Sequence, residues 1–110
     1  MSKKLYITKR ISNGNGRLEY YLKEDVFVDE EKRGVPVFGI EVTEIRAEQE
    51  GGEELQTAKI DGLSVNRERV LEFLYMLSDM EVMPVHLADV VEDFLQDDFF
   101  IIEKNSEMTA

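Results

Sequence analysis

The sequence predicts an α+β fold, a four-stranded antiparallel meander followed by two helices packed on one face of the sheet. Three observations predict it. Apolar residues alternate with polar ones through four stretches of the first 61 residues, glycine-rich or charged turns separate those stretches, and beyond residue 66 the apolar period lengthens to that of a helix.

The first strand is expected over 3–12, where Leu5, Ile7 and Ile11 alternate with Tyr6, Thr8 and Arg10. Asn13-Gly14-Asn15-Gly16 follows, with two Asn-Gly pairs of the kind that tolerate positive φ and close tight hairpins. A second strand is predicted over 17–28, with Leu18, Tyr20 and Leu22 on one face and Glu19, Tyr21 and Lys23 on the other. The charged run Asp29-Glu30-Glu31-Lys32-Arg33-Gly34 reads as a turn, and Phe38, Ile40 and Val42 then define a third strand over 35–46. Past the polar turn around Gly51-Gly52, Gln56, Ala58 and Ile60 mark a weaker fourth strand over 54–61, ending at Gly62. Connections this short favour antiparallel neighbours.

Asn66 is a good N-cap for a helix over 66–81, in which Val70, Phe73, Leu74, Leu77 and Met80 recur at helical spacing. Pro84 suits the first turn of a second helix over 84–97, where its missing N–H is not needed. Leu87, Val90, Val91, Phe94 and Leu95 form its apolar stripe, with Asp89, Glu92, Asp93 and Asp97 opposite. The apolar run Phe99–Ile102 is too short for a helix and suits docking on the core or adding an edge strand, and Asn105–Ala110 reads as a frayed end. The 110 residues are expected to form a single domain.

Composition removes several kinds of chemistry. The chain has no cysteine, which excludes disulfides, thiolate metal sites, iron–sulfur clusters and thiol catalysis. Its apolar stretches are too short for a bilayer-crossing helix, and no long apolar region follows Lys3 and Lys4, so the expected setting is cytoplasmic, without membrane attachment. A net charge of −11 opposes approach to phosphate backbones, so no direct contact with nucleic acid is expected. The charge is uneven: Lys3, Lys4, Lys9, Arg10, Arg17 and Lys23 precede residue 24 with only Glu19 against them. Such a basic end is expected to lie beside the acidic part of the same fold.

The segment Pro84-Val85-His86-Leu87-Ala88-Asp89-Val90-Val91-Glu92-Asp93-Phe94-Leu95 resembles the C-terminal signature of a family of small uncharacterised bacterial proteins. Phe38-Gly39-Ile40-Glu41-Val42, after a strand with paired Tyr20-Tyr21, is similar to the same family, and the likeness covers roughly residues 17–97. The resemblance implies no activity, cofactor or catalytic residue.

His86 is the only histidine. Asp89 at i+3 and Asp93 at i+7 share its helix face, which makes a conceivable divalent-metal site, although three ligands from one helix rarely close a coordination shell. A first-turn histidine beside a solvated acidic face is the plainer expectation, and no metal or other cofactor is expected. The remaining acids fall in runs, not across a cleft, and the glycines of 13–16 join strands where a phosphate loop would open a helix. No catalytic residue is expected.

Alternation places Tyr6 opposite Leu5 and Ile7, and Tyr21 and Phe27 opposite Leu18, Tyr20 and Leu22. If the helices cover one sheet face, these three aromatics lie on the other, as a cross-strand ladder or as a contact surface. The expected function is that of a non-enzymatic protein-interaction or regulatory module, with Tyr6, Tyr21 and Phe27 as interaction residues and the basic first strand at the contact. Its partner would be another protein or a second copy. The alternatives are a small metal- or ligand-binding protein using His86, Asp89 and Asp93, and an acidic mimic that occupies a nucleic-acid-binding protein.

Overall fold

A long hairpin forms the spine of the molecule. In the computed structural model, which describes residues 2–11, 16–28, 30–48 and 51–96, strands β1 (Ser2–Arg10), β2 (Gly16–Val28), β3 (Gly34–Ala47) and β4 (Glu53–Ser64) lie in the order β1-β2-β3-β4. Every neighbouring pair is antiparallel. Helices α1 (Arg67–Asp79) and α2 (Pro84–Gln96) follow. This is the predicted α+β architecture with an open sheet. Residues 12–15, the Leu95 side chain, Asp97, the run Phe99–Ile102 and Asn105–Ala110 lie outside the described residues.

The alternation of β2 and β3 sorts the sheet into two faces. Tyr20 pairs with Val42 and Leu22 with Ile40, and Ile40 pairs in turn with Ile60. These apolar residues face α1 and α2 and join Leu18, Phe38, Val70, Phe73, Leu74, Leu77, Leu87 and Val91 in one core. Asn66 caps α1 by accepting from the Arg69 amide at 3.2 Å, leaving Val70, Phe73, Leu74 and Leu77 on the sheet side. Phe73 is fully buried and meets the half-buried Phe94 of α2 edge-on at 5.2 Å.

Tyr20 ties the sheet to the turn between the helices. Its hydroxyl donates to the Val82 carbonyl at 3.0 Å and lies 3.4 Å from that of Leu77. Burial, and secondarily the charge of Glu81, push this hydroxyl far above the ordinary value of 10.0. Tyr21 is also raised, by burial first and then by its bond to Glu19 and the charges of Glu19 and Glu41, with Arg17 opposing. Both tyrosines therefore hold their protons more tightly folded than unfolded, so their contribution is complete below about pH 10 and is lost as pH rises beyond it. The urea midpoint is expected to fall steeply above that pH. Tyr20→Phe should flatten the alkaline fall while lowering neutral stability by about 1–3 kcal/mol, because the Val82 carbonyl loses the hydroxyl that donates to it.

The fourth strand ends later than the alternation indicates. Between Phe38↔Ser64 and Ile40↔Ile60 the register slips, so β4 fits extra residues opposite Gly39 and continues through Gly62 at φ +63° to Ser64. Gly39 is what admits them: a Cβ there would stand 2.1 Å from the Ile60 carbonyl oxygen. A second irregularity falls in β1 between Leu5 and Ile7. Both outer strands of the sheet are thus bulged, a common way to discourage uncontrolled edge pairing.

β2 and β3 also outrun their neighbours. Among the described residues, β1 pairs as far as Ser2↔Glu24 and β4 as far as Phe38↔Ser64, while the β2–β3 pairing continues to Val28↔Gly34. Residues 25–28 and 34–37 therefore form a two-stranded ribbon projecting past the sheet, in a molecule measuring 54 × 29 × 18 Å.

Candidate functional site

The sheet face away from the helices is a layer of interlocked polar side chains. Lys3 reaches from β1 across β2 to Glu41 of β3, with 2.6 Å between Nζ and Oε2, and its ammonium lies 4.7 Å from the centre of the Tyr21 ring beneath. The Tyr21 hydroxyl donates to Glu19 Oε1 at 2.8 Å, and Arg17 lies 3.5 Å from the other oxygen of Glu19. Lys23 is buried to 6% exposure and passes over Gly39 to Asp61 of β4 at 2.6 Å. That bond holds the Asp61 carboxyl below the usual carboxylate range, aided by the charges of Lys23 and Lys59 and opposed by burial. Thr43 and Thr57 bond at 3.1 Å in the same layer.

This layer is closed upon itself. Tyr21 is half-buried with its ring covered and its hydroxyl bonded, so it offers a partner little. Four of the six basic residues before residue 24 are similarly engaged. Lys3, Arg17 and Lys23 meet acids within the fold, while Lys9 donates to the Ser78 carbonyl at 2.8 Å, at the C-terminal end of α1 where the helix dipole favours a cation. The basic end thus lies among the acids and helix carbonyls of its own fold.

Tyr6 does not lie on this face, contrary to the alternation. The irregularity between Leu5 and Ile7 sets Leu5 opposite Tyr21 and Ile7 opposite Tyr20, on different faces, and Tyr6 packs against the core on the helix side. Its hydroxyl accepts from the Arg67 guanidinium of α1, and Lys4 lies 5.4 Å from its ring centre. Tyr6 therefore fastens β1 to α1. Tyr21 and Phe27 do share a face of β2, but they stand six positions apart along the strand, about 20 Å. The three aromatics form no common patch.

Phe27 stands apart in kind. It is 61% exposed, with Val26 and Val28 at 58% and 60%. By register Phe27 pairs with Val35 and Asp25 with Val37 on one ribbon face, and Val26 pairs with Pro36 on the other. Both edges of the ribbon are blunted. The Val26 amide donates to Asp25 Oδ1 at 2.8 Å and so does not bond across to Pro36, which places the missing N–H of Pro36 on the outer edge of β3. A partner would meet apolar side chains here and find few backbone donors. Around them stand Glu24, Asp25, Glu30 and Glu31, with Lys32 and Arg33 at the tip.

His86, Asp89 and Asp93 are all exposed on α2. No group of three or more histidine, aspartate or glutamate side chains among the described residues is placed to hold a metal ion. A shallow groove of about 390 Å³ at the opposite end of the sheet is lined by Glu44, Arg46, Glu54, Gln56, Met83 and Val85. Its buried acid, Glu44, is bonded by Arg46 of the same strand.

The ribbon escaped the alternation because its exposure depends on where β1 and β4 stop, and period two does not encode that. The visible signal was apolar residues on both faces of 26–28 and 35–37, more than a one-sided sheet needs. No described helix is long and apolar enough to cross a membrane.

No curated protein and no solved structure matches the chain. The profile of a family of unknown function, DUF6514, matches residues 2–97, and so takes in β1, which the motif resemblance did not reach. Spanning the whole sheet and both helices, that match shows the chain to be a member of the DUF6514 family of unknown function.

Proposed function

We propose that this protein is a non-enzymatic interaction module that docks another protein through the β2–β3 ribbon, with Phe27 as the anchor. The observation that carries the reading is the exposure of Phe27, Val26 and Val28 on a ribbon that no helix or neighbouring strand among the described residues covers. A solvent-facing cluster of this kind is unfavourable unless it is used, and a buried aromatic at the centre of a contact is a common anchor. The acids around it suit a partner whose apolar cleft has a basic rim, and they repel a second copy of the same ribbon. Against enzymatic chemistry, the groups with displaced pKa values among the described residues, Tyr20, Tyr21 and Asp61, each owe the displacement to contacts that hold the fold together. The acidic composition and the motif resemblance support a bacterial cytoplasmic setting within the same proposal.

Parallel captures with wild type, Phe27→Ser and Tyr21→Ser provide the test. The expected result is one stoichiometric protein held by wild type and by Tyr21→Ser and lost with Phe27→Ser, at an unchanged urea midpoint for Phe27→Ser. A partner retained by Phe27→Ser and lost with Tyr21→Ser would overturn the reading in favour of the open sheet face. A chain that captures nothing at partner concentrations of about 100 μM would overturn it altogether.

A further inference from the structure

Among the described residues β4 pairs with β3 alone, so its other side is an edge. The irregularity opposite Gly39 is confined to residues 60–64, whereas Glu53 to Lys59 pair with β3 in unbroken register, from Glu53↔Ala47 to Lys59↔Glu41. This regular half presents outward backbone donors and acceptors at the end of the sheet away from the ribbon. Apolar side chains stand exposed on both of its faces. Leu55, opposite Ile45 on the open face, is 63% exposed. On the helix face Val85 of α2 is 70% exposed and lines the groove with Glu54 and Gln56.

Charge decides what fits here. Although the chain carries −11, this edge is balanced: Glu53, Glu54 and Asp61 stand with Lys59, Arg17 lies 3.9 Å from Glu53, and Arg46 pairs in register with Glu54. The β1 edge would instead set Lys3, Lys4, Lys9 and Arg10 against their own kind. A twofold axis perpendicular to the sheet pairs two β4 edges antiparallel, with one residue opposite itself. Centred on Leu55, it sets Glu53 against Thr57. Centred on Thr57, it sets Glu53 against Asp61, two like-charged pairs. Centred on Gln56, it sets Glu53 of each copy against Lys59 of the other, and Leu55 against Thr57. Of the three, only the last puts opposite charges face to face. We infer that β4 of one copy adds to β4 of a second through Glu53 to Lys59, centred on Gln56, giving a dimer with one continuous eight-stranded sheet. Both pairs of helices then lie on the same side, and the two grooves meet at the axis. The ribbons stay free at the far ends, so the dimer does not depend on the partner contact proposed above.

The cysteine-free chain makes the test direct. Directly opposed strand residues stand about 4.5–5.5 Å apart at Cα, within the about 4.4–6.8 Å that a disulfide spans. In this register Glu54 lies opposite Ala58, four residues or about 13 Å from its own copy. Full-length Gln56→Cys is therefore expected to form an intermolecular disulfide under mild oxidation at least tenfold faster than Glu54→Cys. Sedimentation velocity at about 100 μM should show a dimer for wild type. Glu53→Lys and Lys59→Glu, each alone, should weaken it at least tenfold, and an equimolar mixture of the two should restore it, because each lysine again meets a glutamate. A wild type that stays monomeric, equal oxidation rates for the two cysteine variants, or a mixture no tighter than its components would each overturn the inference.

Discussion

Phe73→Ala is expected to cost about 3–5 kcal/mol, a large share of the about 5–15 kcal/mol that holds a domain of this size together. Phe73 is fully buried where α1, α2 and the sheet meet, and its ring supports Phe94 edge-on. Truncation removes its own buried surface and leaves a cavity whose walls come from three elements, so collapse can refill it only in part. Urea denaturation followed by circular dichroism is the measurement. The companion Phe94→Ala should cost clearly less, because Phe94 is only half-buried. Equal losses would mean that Phe94 is as deeply enclosed as Phe73.

Gly39→Ala is the second large effect. The added methyl would stand 2.1 Å from the Ile60 carbonyl and 2.9 Å from the Asp61 Cα, both backbone atoms that no rotamer change can move aside. Relief requires β4 to separate from β3 at its irregularity, which also displaces Asp61 from Lys23. A loss at or beyond the upper end of the about 1–3 kcal/mol typical of overpacking is expected, with faster amide exchange centred on residues 60–64. Gly52→Ala is a useful contrast, since its cost comes only from a φ of +92° with nothing nearby to strike.

What could be read from the sequence divides along a physical line. Periodicity reports which residues one element buries, so the four strands, both helices, the Asn66 cap and the core from Leu18 to Val91 were legible. Where a strand breaks its period, the reading fails from that residue on. Tyr6 went to the wrong face because the irregularity between Leu5 and Ile7 shifts phase, and β4 was ended at Gly62 because its extra residues oppose a glycine on another strand. The closed layer over Tyr21 was hidden for a similar reason: Lys3 and Glu41 are 38 residues apart and meet only by spanning a third strand. Phe27 alone of the three aromatics keeps the exposure that a contact surface requires, because the described pairing of β1 and β4 does not reach it.

The central claim is that the ribbon, and not the open face or a sheet edge, receives the partner. Amide hydrogen exchange of the full-length chain with and without the captured protein tests it most directly. The account predicts slowed exchange confined to 25–28 and 34–37, with β1, β4 and the Tyr21 region unchanged. Slowed exchange along β1 or β4, with the ribbon amides exchanging as in the free protein, would contradict it.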